Sequence, residues 1–279
     1  MTDPYFINGV ALDNVARQVE TAEGLQEAPA WRETGIVVPT AHGELDAGSD
    51  PTAMRRAFGP GQITFSGWIL GVDPVTGAWA GDDLGPYFAR VSELMRLFYA
   101  RNLEIDHVRP DGTRRAHGHL VGALAPSPEP ASPWFGRWKA TVTIPGAFWT
   151  ALAPVTASGT VASGGTINLS AFAAGEAPIA DGLLTFGPAN NPTFIQGGSF
   201  CQYAAVISAG RQLTVDCSDW SLGTGSGSAW TPDPSKLVYG PGPAFFELDP
   251  TGPPLAVLTH TGGGTAFASF TGVPKYLTS

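Results

Sequence analysis

Turn-forming residues break this chain so often that only one stretch is long enough and periodic enough to be a helix. Glycine (36) and proline (25) together make up a little over a fifth of the 279 residues. Apolar residues still reach 43% and aromatics 10%, enough to pack a core, which separates the chain from a disordered, turn-rich polymer. Frequent breaks with apolar runs between them predict a mainly β protein built from short strands.

The helical exception spans residues 82–101. Its apolar residues fall at Leu84, Phe88, Val91, Leu94, Met95 and Phe98, with Arg90, Glu93 and Arg96 on the other face. Asp82 or Asp83 is placed to cap its start, and Pro86 is tolerated in a first turn. Before it, Tyr5-Phe6-Ile7-Asn8-Gly9-Val10-Ala11-Leu12 sets an Asn-Gly pair between two apolar runs, a strong hairpin signal because both turn residues accept positive φ. Further strands are expected at 34–38, 62–70, 102–109, 115–124 and 138–144. Arg109-Pro110-Asp111-Gly112 reads as the turn between the third and fourth of these.

Charge divides the chain. Residues 1–154 hold twelve of the fifteen Lys and Arg and seventeen of the twenty-four Asp and Glu. Residues 155–279 keep only Arg211, Lys236 and Lys275 with seven acidic residues. This shift, across a Pro- and Gly-rich stretch, predicts a boundary near Pro154. Domain 1–154 is then a sandwich- or barrel-like sheet structure carrying the one long helix. Domain 155–279 reads as strands throughout, at 166–171, 183–186, 194–196, 201–207, 212–217, 236–238, 244–248, 255–259 and 265–271. Turn residues recur there at roughly the eight-to-twelve-residue spacing of a two-sheet sandwich. No period of about 20–50 residues repeats, which argues against a solenoid or propeller.

The net charge of −9 disfavours a nucleic-acid partner. No run of about eighteen apolar residues suggests a membrane span. Met1-Thr2-Asp3-Pro4 lacks the basic-then-apolar pattern of a secretory signal, so synthesis in a cytoplasm is expected. Two cysteines are too few for a disulfide framework or a Cys-based zinc site.

Candidate chemistry is sparse. His117-Gly118-His119 sets two imidazoles on one strand face, a geometry that can hold zinc, with His107 across the hairpin as a third ligand. No carboxylate pattern supports that site, and the bland reading is of half-exposed strand residues. Glu104 and Asp106 alternate onto one face as a glycosidase pair would, and equally as solvated surface carboxylates do. Asp46-Ala47-Gly48-Ser49-Asp50 lacks the rest of a calcium loop and reads as a turn. No nucleophile elbow, phosphate-binding loop or His-Glu-x-x-His motif is present, so no catalytic, cofactor-binding or metal residue is assigned. Eight tryptophans include candidates for a sugar-stacking platform, although most suit a core.

The cysteines admit one specific pairing. Ser208-Ala209-Gly210 reads as a hairpin loop, and counting outward from Ile207 opposite Arg211 sets Cys201 against Cys217. That register gathers Tyr203, Ala205, Ile207, Leu213, Val215 and both cysteines on one face. A disulfide and a pair of buried thiols both remain open for it, and a reducing cytoplasm opposes the bridge.

The order of these features resembles a known family. The hairpin Phe6-Ile7-Asn8-Gly9 precedes Trp31-Arg32, Gly35-Ile36-Val37-Val38-Pro39 and His42-Gly43-Glu44-Leu45. Ile63-Thr64-Phe65-Ser66-Gly67, the helix and a hairpin ending Ala116-His117-Gly118 follow. This is similar to the N-terminal domain of the distal tail proteins of siphovirus-type bacteriophages. Asn190-Asn191-Pro192, the run from Ala209 to Asp216 and Val273-Pro274-Lys275-Tyr276-Leu277 match that family's galectin-like C-terminal sandwich. One turn departs from it: Leu248-Asp249-Pro250-Thr251-Gly252-Pro253 stands where the family usually has Pro-Gly-x-Asn. The resemblance implies a structural protein of the virion tail tip, a homo-hexameric ring joining the tail tube protein to the tail hub, with the tape-measure protein as a further neighbour. It implies no enzyme, cofactor, membrane or specific nucleic acid. The alternative is a carbohydrate-binding module or a glycan-acting enzyme, which fits the sandwich and the tryptophans but leaves the helix unexplained.

Overall fold

The computed structural model describes residues 4–23, 61–79, 83–124, 126–129, 132–145, 148–224, 230–240 and 246–277, with the backbone of 35–37 and 44–46. The chain is mainly β and divides into two compact units between Leu152 and Ala153, with the backbone of 35–37 and 44–46 grouped with the second and Leu277 with the first.

The first unit begins with β1 (Tyr5–Ile7), β2 (Val10–Ala11) and β3 (Arg17–Glu23). Next in the chain, β4 (Gly35–Val37) and β5 (Glu44–Asp46), which group with the second unit, form a two-stranded ribbon. Then come β6 (Gly61–Leu70), α1 (Gly85–Phe98), β7 (Leu103–Arg109), β8 (Gly112–Val121), β9 (Ser127–Glu129), β10 (Ser132–Ile144) and β11 (Trp149–Ala151). The antiparallel sheet runs β2-β1-β7-β8-β10-β6-β3, with β9 added to β10 and β11 to β8. Asn8 and Gly9 turn β1 into β2 with φ of 50° and 77°, as the Asn-Gly signal requires. Asn8 Oδ1 also accepts the Glu104 amide at 3.0 Å, tying this turn to β7. Strand β3 carries few apolar residues and gives little sequence signal. Its Val19 is buried, and Arg17, almost wholly buried, donates from Nε and Nη2 to the carbonyls of Leu12 and Ala11.

Helix α1 starts at Gly85, whose amide is bonded to Asp83 Oδ1 at 2.8 Å, while Leu84 occupies the N-cap without a side-chain bond. Its buried residues are Tyr87, Leu94 and Phe98. Phe98 sits between Phe65 (centroids 6.1 Å apart) and Trp138 (5.8 Å). Tyr87 enters a slot that exists only because the sheet carries glycine there. A Cβ on Gly136 would stand 2.2 Å from the Tyr87 hydroxyl oxygen, and one on Gly71 3.1 Å from Tyr87 Cβ. The spacing of apolar residues places Phe88 on the packing face, but it is 58% exposed. Tyr87 takes that role instead.

In the second unit β12 (Val155–Ala162), β22 (Thr265–Gly272), β14 (Leu183–Phe186), β18 (Leu213–Asp216) and β19 (Leu222–Thr224) form one sheet in that order. The other sheet runs β13 (Gly165–Asn168), β21 (Leu255–Thr261), β15 (Ala189–Gln196), β16 (Ser199–Tyr203) and β20 (Leu237–Gly240), with β17 (Val206–Ile207) added to β15. Between the two lies one core whose centre is aromatic: Phe270 packs on Phe172 and Phe246, and Phe246 on Phe194. This is a β-sandwich, and its helical residues among those described are two 3-10 turns, Ser170–Phe172 and Pro234–Lys236. Buried Gln196 donates to the carbonyls of Asp249 (2.7 Å) and Pro253 (3.1 Å) and accepts the Asp249 amide (2.9 Å). One side chain thus pins the Leu248–Pro253 turn. On the outer face, Ser158, Ser269, Thr185 and Thr214 stand in register across β12, β22, β14 and β18.

The cysteine hairpin does not form. Cys201 on β16 is opposite Phe194 of β15 and Tyr239 of β20, whereas β18, just before Cys217, pairs with β14 and β19 in the other sheet. Ile207 still pairs with Ala189 in the sheet of β16, and residues 208–212 cross to the other sheet. The inward set was read correctly, since Cys201, Tyr203, Ile207, Leu213, Val215 and Cys217 all enter one core. Alternation marks which side faces the core; it does not distinguish two strands of one sheet from two strands of facing sheets.

Two substitutions test these locks by chemical denaturation. Gly136→Ala should lose roughly 1–3 kcal/mol because a methyl group overpacks the Tyr87 slot, while Gly263→Ala, with open space around it, should be near neutral. Gln196→Ala should lose about 1–3 kcal/mol through the stranded Asp249 amide and its neighbouring carbonyls.

Candidate functional site

The polar residues singled out in the sequence collect on the outer face of β7 and β8. Pairing sets Glu104 opposite His117 and Asp106 opposite Arg115. Arg115 grips Asp106 through two hydrogen bonds of 2.7 and 2.8 Å and reaches Glu104 Oε1 at 2.8 Å. Bonding to Asp106 raises the Arg115 pKa, with the charges of Asp106 and Glu104 adding to it. One guanidinium therefore holds both candidate carboxylates, a fork-on-carboxylate arrangement suited to fixing a strand pair.

His117 and His119 are exposed on this same face. His107 is not with them. It points to the other side of β7, is buried, and stacks on Tyr5 with centroids 4.2 Å apart and planes 7° from parallel. The expected third imidazole is therefore separated from the pair by the alternation of its own strand. Among the described residues no group of three or more His, Cys, Asp or Glu converges as metal ligands. The side chains of 46–50 lie outside the described residues.

On β3, β6 and β10 lies a shallow groove of about 320 Å³ lined by Glu20, Ser66, Gly67, Arg137, Trp138 and Lys139. Arg137 bonds Glu20 at 2.7 Å. Gly67 is required there, because its Cβ would stand 2.0 Å from the Gln18 carbonyl oxygen. The groove wall is thus set by backbone approach between β3 and β6 beside the bulge at Val19 and Thr21.

Sequence reasoning missed the most exposed apolar feature among the described residues. A short tongue follows β6, closed by a bridge between Val72 and Trp79 and shaped by Asp73, which accepts the amides of Val75 and Thr76. These hydrogen bonds lower the Asp73 pKa. Val75 at its tip is 83% exposed. Trp79 packs edge-on against Trp134 at 4.9 Å. The Asp73-Pro74 start of the tongue was its only local signal, and that marks a turn without marking exposure.

No helix among the described residues is long and apolar enough to cross a membrane. No family model matches the chain, and no curated protein matches it. Solved structures do. A chain of the phage P2 baseplate in its activated conformation with Ca aligns over 100% of both chains, at 9% identity and a TM-score of 0.39. A chain of the phage p2 baseplate in its activated conformation with Sr aligns over 97% of this chain and 98% of its own length, at 8% identity and a TM-score of 0.36.

The cysteines supply a test of the core of the second unit. Burial, with Cys217 nearby, pushes the Cys201 thiol pKa up and disfavours the reactive thiolate. Native protein should leave both thiols unlabelled by a maleimide over hours, and denatured protein should take up two labels, as read by intact mass.

Proposed function

We propose that the protein is a structural component of a bacteriophage tail, of the siphovirus distal tail type. Six copies form a ring at the tail tip that joins the tail tube to the hub, with the tape-measure protein as a further neighbour. The first unit makes the ring and the second is a galectin-like sandwich. The chain is made in the host cytoplasm and ends in the virion.

The supporting observation is the order of elements. An Asn-Gly hairpin, an antiparallel sheet, one long helix packed on that sheet, the β7–β8 hairpin and then an all-β sandwich follow one another as in the resemblance drawn from the residues. The glycan-acting alternative loses its candidate acid pair, because Arg115 engages both carboxylates.

Gold-labelled antibody against the protein should decorate the distal end of the tail in purified virions. Quantitative mass spectrometry should return six copies per virion. Label on the capsid, or absence from virions, refutes the reading.

A further inference from the structure

Helix α1 carries more apolar surface than the sheet covers. Phe88 and Tyr99 are 58% and 57% exposed at its two ends. At about 100° per residue, Phe88, Met95 and Tyr99 share an arc roughly 40° wide, about 100° round the helix from the buried Tyr87, Leu94 and Phe98. No charged residue falls within that arc, so it is not the solvated side of an ordinary amphipathic helix.

A second, different apolar patch flanks the other side. Val15 is 52% exposed, Trp79 48%, and Val75 protrudes furthest. Val15 lies against the tongue, its Cγ1 2.9 Å from where a Cβ on Gly77 would stand. Arg90 is within electrostatic range of both Asp73 at the base of the tongue and Arg17 at the end of the β2–β3 loop. It points about 160° away from Phe88. The two patches thus occupy opposite flanks of one helix.

Two unlike patches at an angle are what a head-to-tail contact between identical copies requires, whereas a two-fold dimer uses one patch twice. Their charges are complementary. The tongue carries exposed Asp73, and the end of the helix carries exposed Arg96 and Arg101 beside Tyr99. Neither arginine pairs with a carboxylate among the described residues. The exposures leave on the order of 100 Å² of apolar surface on each of Phe88, Tyr99 and Trp79. With Val15 and Val75 the two patches come to about 500 Å², a fitting centre for an interface of about 1,600 Å² of which just over half is non-polar.

We infer that the Val75–Trp79 tongue of one copy docks on the Phe88–Tyr99 face of α1 in the next copy, with Asp73 facing Arg96 and Arg101. The inference rests on the ring reading for its closure. It names the contact that the ring repeats.

The test uses the full-length chain. A V75C/Y99C variant treated with a short bis-maleimide should give a ladder of covalent oligomers on a denaturing gel, while each single variant stays monomeric. In light scattering, F88D should abolish the wild-type oligomer while the chain stays folded with a cooperative thermal transition, since Phe88 is 58% exposed and meets the core only at the ring of Tyr87. A wild-type oligomer that gives no ladder, or that survives F88D, overturns the contact and leaves the ring reading standing. A wild-type chain that is monomeric at every concentration also overturns the contact. The copy number in virions then decides the ring separately.

Discussion

The seam between α1 and its sheet fixes which residues the helix presents outward. Phe98 wedged between Phe65 and Trp138 supplies the apolar contact, and such aromatic pairs contribute about 0.5–1.5 kcal/mol beyond their buried area. Tyr87 supplies the angle, because its ring enters the one place where Gly71 and Gly136 leave room. In that setting Phe88 and Tyr99 are left exposed, and the Arg90 guanidinium is held by Glu93.

Much of this was legible in the residues, and the failures have identifiable causes. The Asn8-Gly9 hairpin, the β7–β8 turn and the single helix lie near their expected positions because each depends on local chemistry. Phe88 was misplaced because helical periodicity marks an apolar arc without saying how much of that arc a neighbour covers. Strands β3 and β12 were missed because they have few large apolar residues: β3 borders its sheet, and Ala157 is the one fully buried side chain of β12. The cysteine register failed for a non-local reason. Six residues of one alternating pattern face one core, but the chain crosses from one sheet to the other between them.

The polar candidates have a similar lesson. Glu104 and Asp106 were legible as a same-face pair, but only the pairing of β7 with β8 reveals that Arg115 stands opposite and holds both. His107 was legible as a neighbour in sequence, yet the two-residue period of its strand sends it to the buried side with Tyr5. Gln196 gave no signal at all. Its three hydrogen bonds depend on a turn more than fifty residues away.

The row formed by Ser158, Ser269, Thr185 and Thr214 has a consequence for how the second unit meets its surroundings. Neighbouring strands repeat about every 4.8 Å, so the hydroxyl groups offer water an evenly spaced, uncharged lattice. Anything that settles on this row must displace ordered water, with no counterions to release. Adhesion there will therefore change little between dilute buffer and high salt. The exposed Arg137–Glu20 pair of the first unit, by contrast, will weaken as the screening length shortens.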